Sequence, residues 1–345
     1  MLPDFAALPM LANLLVVAAG GAAVWWAGTR LAGHADDIAR LTGMGSAFVG
    51  MLLLGGITSL PEIGVSLSAG FGGAPDIAVN NLFGSIALQV AVLAVGDWVL
   101  GGRALSFMIG HPIVLLQGVF GALLFSVAIA AISVGDVAFL GAGAWSLGLF
   151  AASMLFMWFI AREEKVAEPG WRAANMPDLG PEPERREDDS LRTAILWTIL
   201  CAAVILTAGV IVSQAAEAVA EQSGLGGSFI GVTLLGIVTS LPEVSTLTAA
   251  VRRRRYSMAF GDIFGTNIFD FALIYAVDLA YDGGPVLNEV GAFSQVAAAI
   301  GVVVTLFYVA GLIERRDDTI GRLGLDSWAV VATYLGGLVL LFFLR

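Results

Sequence analysis

Long apolar runs broken by short polar stretches make up almost the whole chain. A membrane-crossing helix needs ~20 mostly apolar residues. On that rule ten spans are expected, at 9–28, 44–70, 76–95, 110–134, 137–161, 193–219, 228–251, 257–280, 286–312 and 325–344. One stretch reads as soluble, from Glu163 to Ser190, with Pro169, Pro177, Pro181 and Pro183 and the mixed charges Glu184 to Asp189. It reads as a flexible linker between two halves; a regulatory metal site on its acids is the sharper alternative, and no ordered loop pattern supports it. The expected fold is therefore an all-α polytopic membrane protein. Residues 1–162 form the first five-span half, 163–191 the cytoplasmic linker and 192–345 the second five-span half.

The two halves repeat each other. Leu54-Gly55-Gly56-Ile57-Thr58-Ser59-Leu60-Pro61-Glu62 returns in the second half as Leu235-Gly236-Ile237-Val238-Thr239-Ser240-Leu241-Pro242-Glu243. The same offset holds downstream without a gap: Phe83-Gly84-Ser85 meets Phe264-Gly265-Thr266, and Gln89 meets Asp270. The second and seventh spans are five crossings apart, an odd number, so the two copies enter the membrane in opposite directions. The pattern predicts ten helices as two inverted five-helix repeats, an architecture whose substrate sites form where the halves meet.

Composition and charge agree with this layout. Hydrophobic residues are 58% of the chain and charged ones 13%, too apolar for an ordinary soluble domain. Forty-three glycines suit close helix packing in a bilayer. With the N-terminus outside, all of the 17 Lys and Arg except Arg345 fall in inner connections, so both termini are expected outside and the linker in the cytoplasm. The run Arg252 to Arg255 then sets orientation and meets anionic lipid. No basic groove with interleaved aromatics is present, which argues against nucleic acid as a partner. Cys201 stands alone in an apolar run, and no thiol chemistry is indicated. Trp25, Trp26, Trp98, Trp197 and Trp328 suit the membrane interfaces.

The chemistry concentrates at the repeated motif. Pro61 and Pro242 lack an amide hydrogen and push against the carbonyls of Ile57 and Val238 four residues back. Backbone opened in this way within a membrane needs partners or a wet cavity. Thr58, Ser59, Thr239 and Ser240 add hydroxyls at the same breaks, and Glu62 and Glu243 add negative charge just after each proline. Hard cations such as calcium and sodium take oxygen ligands of these kinds. A carboxylate at the centre of a membrane helix costs ~2.5–3.5 kcal/mol on insertion scales, and a bound cation or proton offsets that cost. Ser85 and Gln89 share a helical face, as do Thr266 and Asp270. Asp270 is the third central acid, a candidate to carry a proton during a cycle, and the site is expected to hold at most three negative charges. Gly84 and Gly265 are expected to admit close helix approach. Asn81, Asp262 and Asn267 read as helix-end or packing groups. His34 is expected in an inner loop, and Asp97, Asp136, Asp278 and Asp282 at span ends that reach water.

These motifs resemble the cation/calcium exchanger superfamily, in its sodium/calcium exchanger branch of the prokaryotic type. The resemblance rests on Thr58 to Glu62, Gly84-Ser85, Thr239 to Glu243 and Gly265-Thr266-Asn267-Ile268-Phe269-Asp270. It implies calcium held by Glu62 and Glu243, hydroxyl ligands at Ser85 and Thr266, the acid of the eighth span at Asp270, and sodium held around Thr58, Ser59, Thr239 and Ser240. The chain departs from the family where Ile57 and Val238 replace glycine, where Ile86 replaces asparagine, and at Gln89, where asparagine or aspartate is usual. The function it implies is secondary active antiport of calcium against sodium by alternating access, with a calcium/proton exchanger using the same carboxylates as the alternative. The site is then a metal-cation site without catalytic residues. No enzyme motif and no cofactor are indicated. The partners are the transported cations and the lipid of the cell membrane.

Overall fold

The computed structural model describes residues 5–109, 111–166, 190–222 and 237–344. Its helices are α1 (Met10–Thr42), α2 (Ser46–Thr58), α3 (Leu60–Phe71), α4 (Pro75–Leu100), α5 (Ile113–Val134) and α6 (Ala144–Val166). They continue with α7 (Leu191–Gln222), α8 (Leu241–Arg252), α9 (Tyr256–Ala280), α10 (Ala292–Glu314) and α11 (Leu325–Leu344). Among the described residues, eight helices are long and apolar enough to cross a membrane, and α2 with α3 makes a ninth, bent span. The first part of the expected seventh span 228–251, up to residue 236, lies outside the described residues, and α8 makes up most of the described remainder. Of the linker 163–191, residues 167–189 also lie outside them.

The first span is longer than expected. At 33 residues α1 runs past residue 28 to Gly43, whose positive φ of 72° ends it. At ~1.5 Å per residue it outreaches the ~30 Å hydrocarbon core. Its far end therefore carries Arg30, His34, Asp36, Asp37 and Arg40 on helix rather than in a loop. His34 stacks on Trp197 of α7 at 5.8 Å. Arg255, in the turn before α9, pairs with the buried Asp36 at 2.6 Å, so part of the Arg252–Arg255 run has a specific partner inside the protein. Its turn joins α8 to α9 and is thereby tied to α1.

The fifth and tenth spans are preceded by short hairpins, a departure from an all-helical chain. Strand β1 (Ala138–Phe139) pairs antiparallel with β2 (Ala142–Gly143), and β3 (Thr319–Ile320) with β4 (Leu323–Gly324). Both are two-residue hairpins of the primed kind, which need positive φ in the turn: Leu140 and Gly141 in the first, Gly321 in the second. The two hairpins correspond at the offset that relates the two motif copies. Strands of two residues are too short to leave a period-two signal, so 137–143 merges with the apolar run that follows.

Two buried aspartates tie these hairpins to the central helices. Asp97 near the end of α4 accepts the Leu105 amide and, from β4, the Gly324 amide, both at 2.6 Å. Asp278 near the end of α9 accepts the Val286 amide at 3.0 Å, the Gly143 amide of β2 at 2.6 Å and the Ser146 hydroxyl. Acceptors and amide donors again correspond at the repeat offset, and each aspartate reaches the hairpin of the other half. Asp97, Asp278 and Asp136 are buried rather than water-exposed; buried carboxylates need such donors. Asp136 accepts the amides of Val137 and Trp145. Only Asp282 of the four faces solvent as expected.

The apolar core surrounds α9, which is buried along most of its length. Phe271 meets Phe125 of α5 edge-on at 4.8 Å, and Phe260 meets Tyr308 of α10 at 5.9 Å. Trp25, Trp26, Trp98 and Trp328 are exposed on the outside of the bundle. Arg322 lies over Trp98, 5.1 Å from its ring centre.

Candidate cation-binding site

Each copy of the repeated motif breaks a helix at its second hydroxyl residue. The chain bends by 49° between α2 and α3, and Ser59 is the residue between them. The six residues Gly50–Gly55 just before the break form a π turn, a widened helical form that recurs at functional sites. Pro61 then falls in the first turn of α3, where an amide has no intrahelical partner in any case. The Ser59 amide donates to Gly55 at 3.1 Å, and Ser59 in turn accepts the Ile63 amide at 2.9 Å. The second copy repeats this: Ser240 precedes α8, Pro242 lies in its first turn, and the Val244 amide donates to Ser240 at 3.0 Å.

Glu62 and Glu243 therefore start a helix each, and an acid there is favoured by the helix dipole. Both are fully buried, and none of their four carboxylate oxygens has a hydrogen-bond partner among the described residues. Glu62 lies within electrostatic reach of Asp270 and beside the Thr239 hydroxyl of the other copy. Glu243 feels the charges of Glu62, Asp262 and Asp270. Asp270, also fully buried, lies beside Ser59 and Gln89. The structure thus brings together Glu62, Glu243, Asp270, Ser59, Thr239 and Gln89 from α2–α3, α4, the segment before α8, and α9.

The remaining expected residues lie around this group. Thr58 donates its hydroxyl to the Gly55 carbonyl at 3.3 Å, and Thr266 donates to the Asp262 carbonyl at 2.6 Å. Hydroxyls whose hydrogens are so committed keep lone pairs for a cation. Gly55 lets the break approach α9: a Cβ there would sit 2.7 Å from the Thr266 hydroxyl and 3.0 Å from its amide. Gly265 likewise packs against Met51 with no room for a Cβ. Ser240 is buried at the second break, and its hydroxyl has no partner among the described residues. Ser85 is buried, one helical turn before Gln89, and its hydroxyl has no partner among the described residues. It lines, with Asn80, Asn81 and Gly84, a cleft between α4, α10 and α11. Gly84 borders this cleft, and Gly265 makes the close helix contact expected of it.

A fourth acid lies within electrostatic reach of Glu243. Asp262 is fully buried on α9, one turn before Thr266, and takes the Thr246 hydroxyl on one oxygen while its Oδ1 has no partner. It belongs to the same electrostatic group as Glu243. It lies within α9 rather than at its end. The signal was present in the sequence: Asp262, Thr266 and Asp270 recur every four residues and so share a helix stripe. Asn267, which reads as a packing group, is also buried, with its Oδ1 unpartnered. Among the described residues no three Asp, Glu, His or Cys side chains form a metal-holding group by themselves. A calcium ion takes six to eight oxygens, so here it would draw on hydroxyls, amides and carbonyls as well as on the glutamates.

Broken helices that set unpaired acids inside a membrane bundle are the construction of secondary transporters. The chain belongs to the sodium/calcium exchanger protein family, whose model matches it in two segments, residues 12–161 and 193–343. It is 27% identical over 316 residues to the inner membrane protein YrbG of Escherichia coli, covering 91% of this chain and 92% of that one. It is 25% identical to the putative antiporter CaxA of Alkalimonas amylolytica, over 78% of this chain and 80% of that one. Its fold matches that of the sodium-calcium exchanger NCX_Mj, solved after soaking in sodium and strontium, with a TM-score of 0.71 at 19% identity, over 96% of this chain and 99% of that one. The protein is thus a multi-span membrane protein of a cation-exchanger family, and its substrates are metal cations.

Proposed function

We propose that this protein exchanges calcium for sodium across the cell membrane through one shared midplane site, by alternating access. The observation that carries the reading is the convergence of Glu62 and Glu243, one from each copy of the motif, on a buried group with no basic partner among the charges that act on them. Unpaired buried carboxylates are costly, and cations offset the cost. Calcium or several sodium ions balance the same acids, but not both sets together. Competition of that kind couples the two fluxes. A loaded site permits the switch between inward- and outward-facing forms; an empty charged one resists it.

In this reading Glu62, Glu243 and Asp270 supply charge. Thr58, Ser59, Thr239, Ser240, Ser85, Thr266 and Gln89 supply neutral oxygens. The wider layout is ten spans in two inverted halves, 1–162 and 192–345, joined by the cytoplasmic linker 163–191, with both termini outside. Support comes from the single offset shared by the breaks, the hairpins and the two aspartate ties, and from the asymmetry of basic residues.

Calcium uptake into proteoliposomes of purified protein tests the proposal. A sodium jump is expected to drive uptake and a pH jump is not. Uptake driven by the pH jump alone would replace sodium with protons as the counter-ion, and uptake indifferent to both gradients would refute antiport. Glu62→Gln and Glu243→Gln should each abolish uptake; normal transport by either variant would refute the site.

A further inference from the structure

Asp262 calls for an occupant of its own. Were Glu62, Glu243, Asp262 and Asp270 all ionised, they would carry four negative charges, of which one calcium balances two. Around Thr246 the shortage of positive charge is local. Its single hydroxyl hydrogen faces Asp262 Oδ2 and the carbonyls of Pro242 and Glu243, each carbonyl at 3.1 Å. The Ser245 hydroxyl already donates to the Pro242 carbonyl at 2.7 Å. Among the described residues, Asp262 Oδ1 and both Glu243 oxygens are buried without partners. In a protein interior unpartnered carboxylate oxygens are met by a proton or by a cation.

We propose that Asp262, Glu243 and the Thr246 oxygen hold a monovalent alkali cation beside the central site, on the side of α8 and α9. A single charge suits the one carboxylate that Asp262 adds, with one of its oxygens already engaged by Thr246. The position has no acidic counterpart in the first half, where Asn81 holds the equivalent place in the repeat and lines the cleft by α10 and α11. This cation therefore belongs to the second half alone. Taking it as sodium rests on the exchange reading above; the existence of the position does not.

Radioactive sodium binding to purified full-length protein, at constant ionic strength, provides the test. Asp262→Asn keeps the side-chain shape and an oxygen for Thr246 while removing the charge. The variant is expected to bind one sodium fewer per protein than the parent, with a shallower sodium dependence; an unchanged number would overturn the proposal. Should the variant fail to fold, crystals of the unaltered protein soaked in thallium(I) decide the matter. An anomalous peak beside Asp262 Oδ1 supports the proposal, and its absence there when the central site is loaded overturns it. Binding is read without transport. Loss of this cation would leave exchange at the central site standing, while failure of exchange with Asp262-dependent binding intact would remove only the reading it borrows.

Discussion

Replacing Asp278 with alanine should loosen the second half at the end of the helix that carries Thr266 and Asp270. The carboxylate accepts two amides, from Val286 at 3.0 Å and Gly143 at 2.6 Å, and the Ser146 hydroxyl, and it is buried. Hydrogen bonds to a charged group contribute roughly 1.5–3 kcal/mol each, and an amide left without a partner costs about 1–3 kcal/mol. Relief of the carboxylate's own desolvation offsets part of this. The net loss is expected to be at least about 3 kcal/mol, the upper end of that range for one bond, measured as the unfolding free energy in bicelles by steric trapping. Asp278→Asn keeps one acceptor but turns its amide donor toward a backbone N–H, so it should lose at least half as much. Asp97→Ala, which unties the Leu105 and Gly324 amides, should fall in the same range. Asp270 lies eight residues from Asp278, about 12 Å along the helix, so weakened ion binding should accompany the loss. A change below about 1 kcal/mol in both alanine variants, less than one such bond contributes, would refute the view that these ties hold the helix ends to the hairpins.

Two further substitutions probe the packing that shapes the site. Gly55→Ala puts a methyl group against the Thr266 hydroxyl and amide; it should cost about 1–3 kcal/mol and weaken calcium binding, and calcium titration of the purified variant would show a parent-like affinity if the close approach did not matter. Asp36→Asn removes the charge that Arg255 meets at 2.6 Å; the loss should stay below the ~3–5 kcal/mol of a fully broken buried pair, and amide hydrogen exchange should rise at the end of α1 and in the turn before α9. Unchanged protection at both places would show that the pair does not hold α1 to that turn.

Much of this is legible in the chain itself, for identifiable reasons. Apolar runs of membrane length set the helix positions to within a few residues at most spans, because lipid imposes a length requirement that side chains must meet. The repeated Thr-Ser-Leu-Pro-Glu locates both helix breaks, since proline and a central carboxylate are each expensive inside an apolar span. What the runs conceal depends on tertiary partners. The extension of α1 carries charges that end a hydropathy run without ending a helix. Asp97 and Asp278 look like span ends reaching water, because their amide donors lie in loops or in the other half of the chain. Asp262 looks peripheral until Thr246 and Glu243, from α8, are brought against it.

Calcium-binding stoichiometry most directly tests whether the two motif glutamates serve one ion. Equilibrium binding to the purified parent protein, Glu62→Gln, Glu243→Gln and the double variant should show the same central calcium lost in each variant, with the double no worse than either single. Two separable calcium ions, one removed by each substitution and both only by the double, would contradict a shared site.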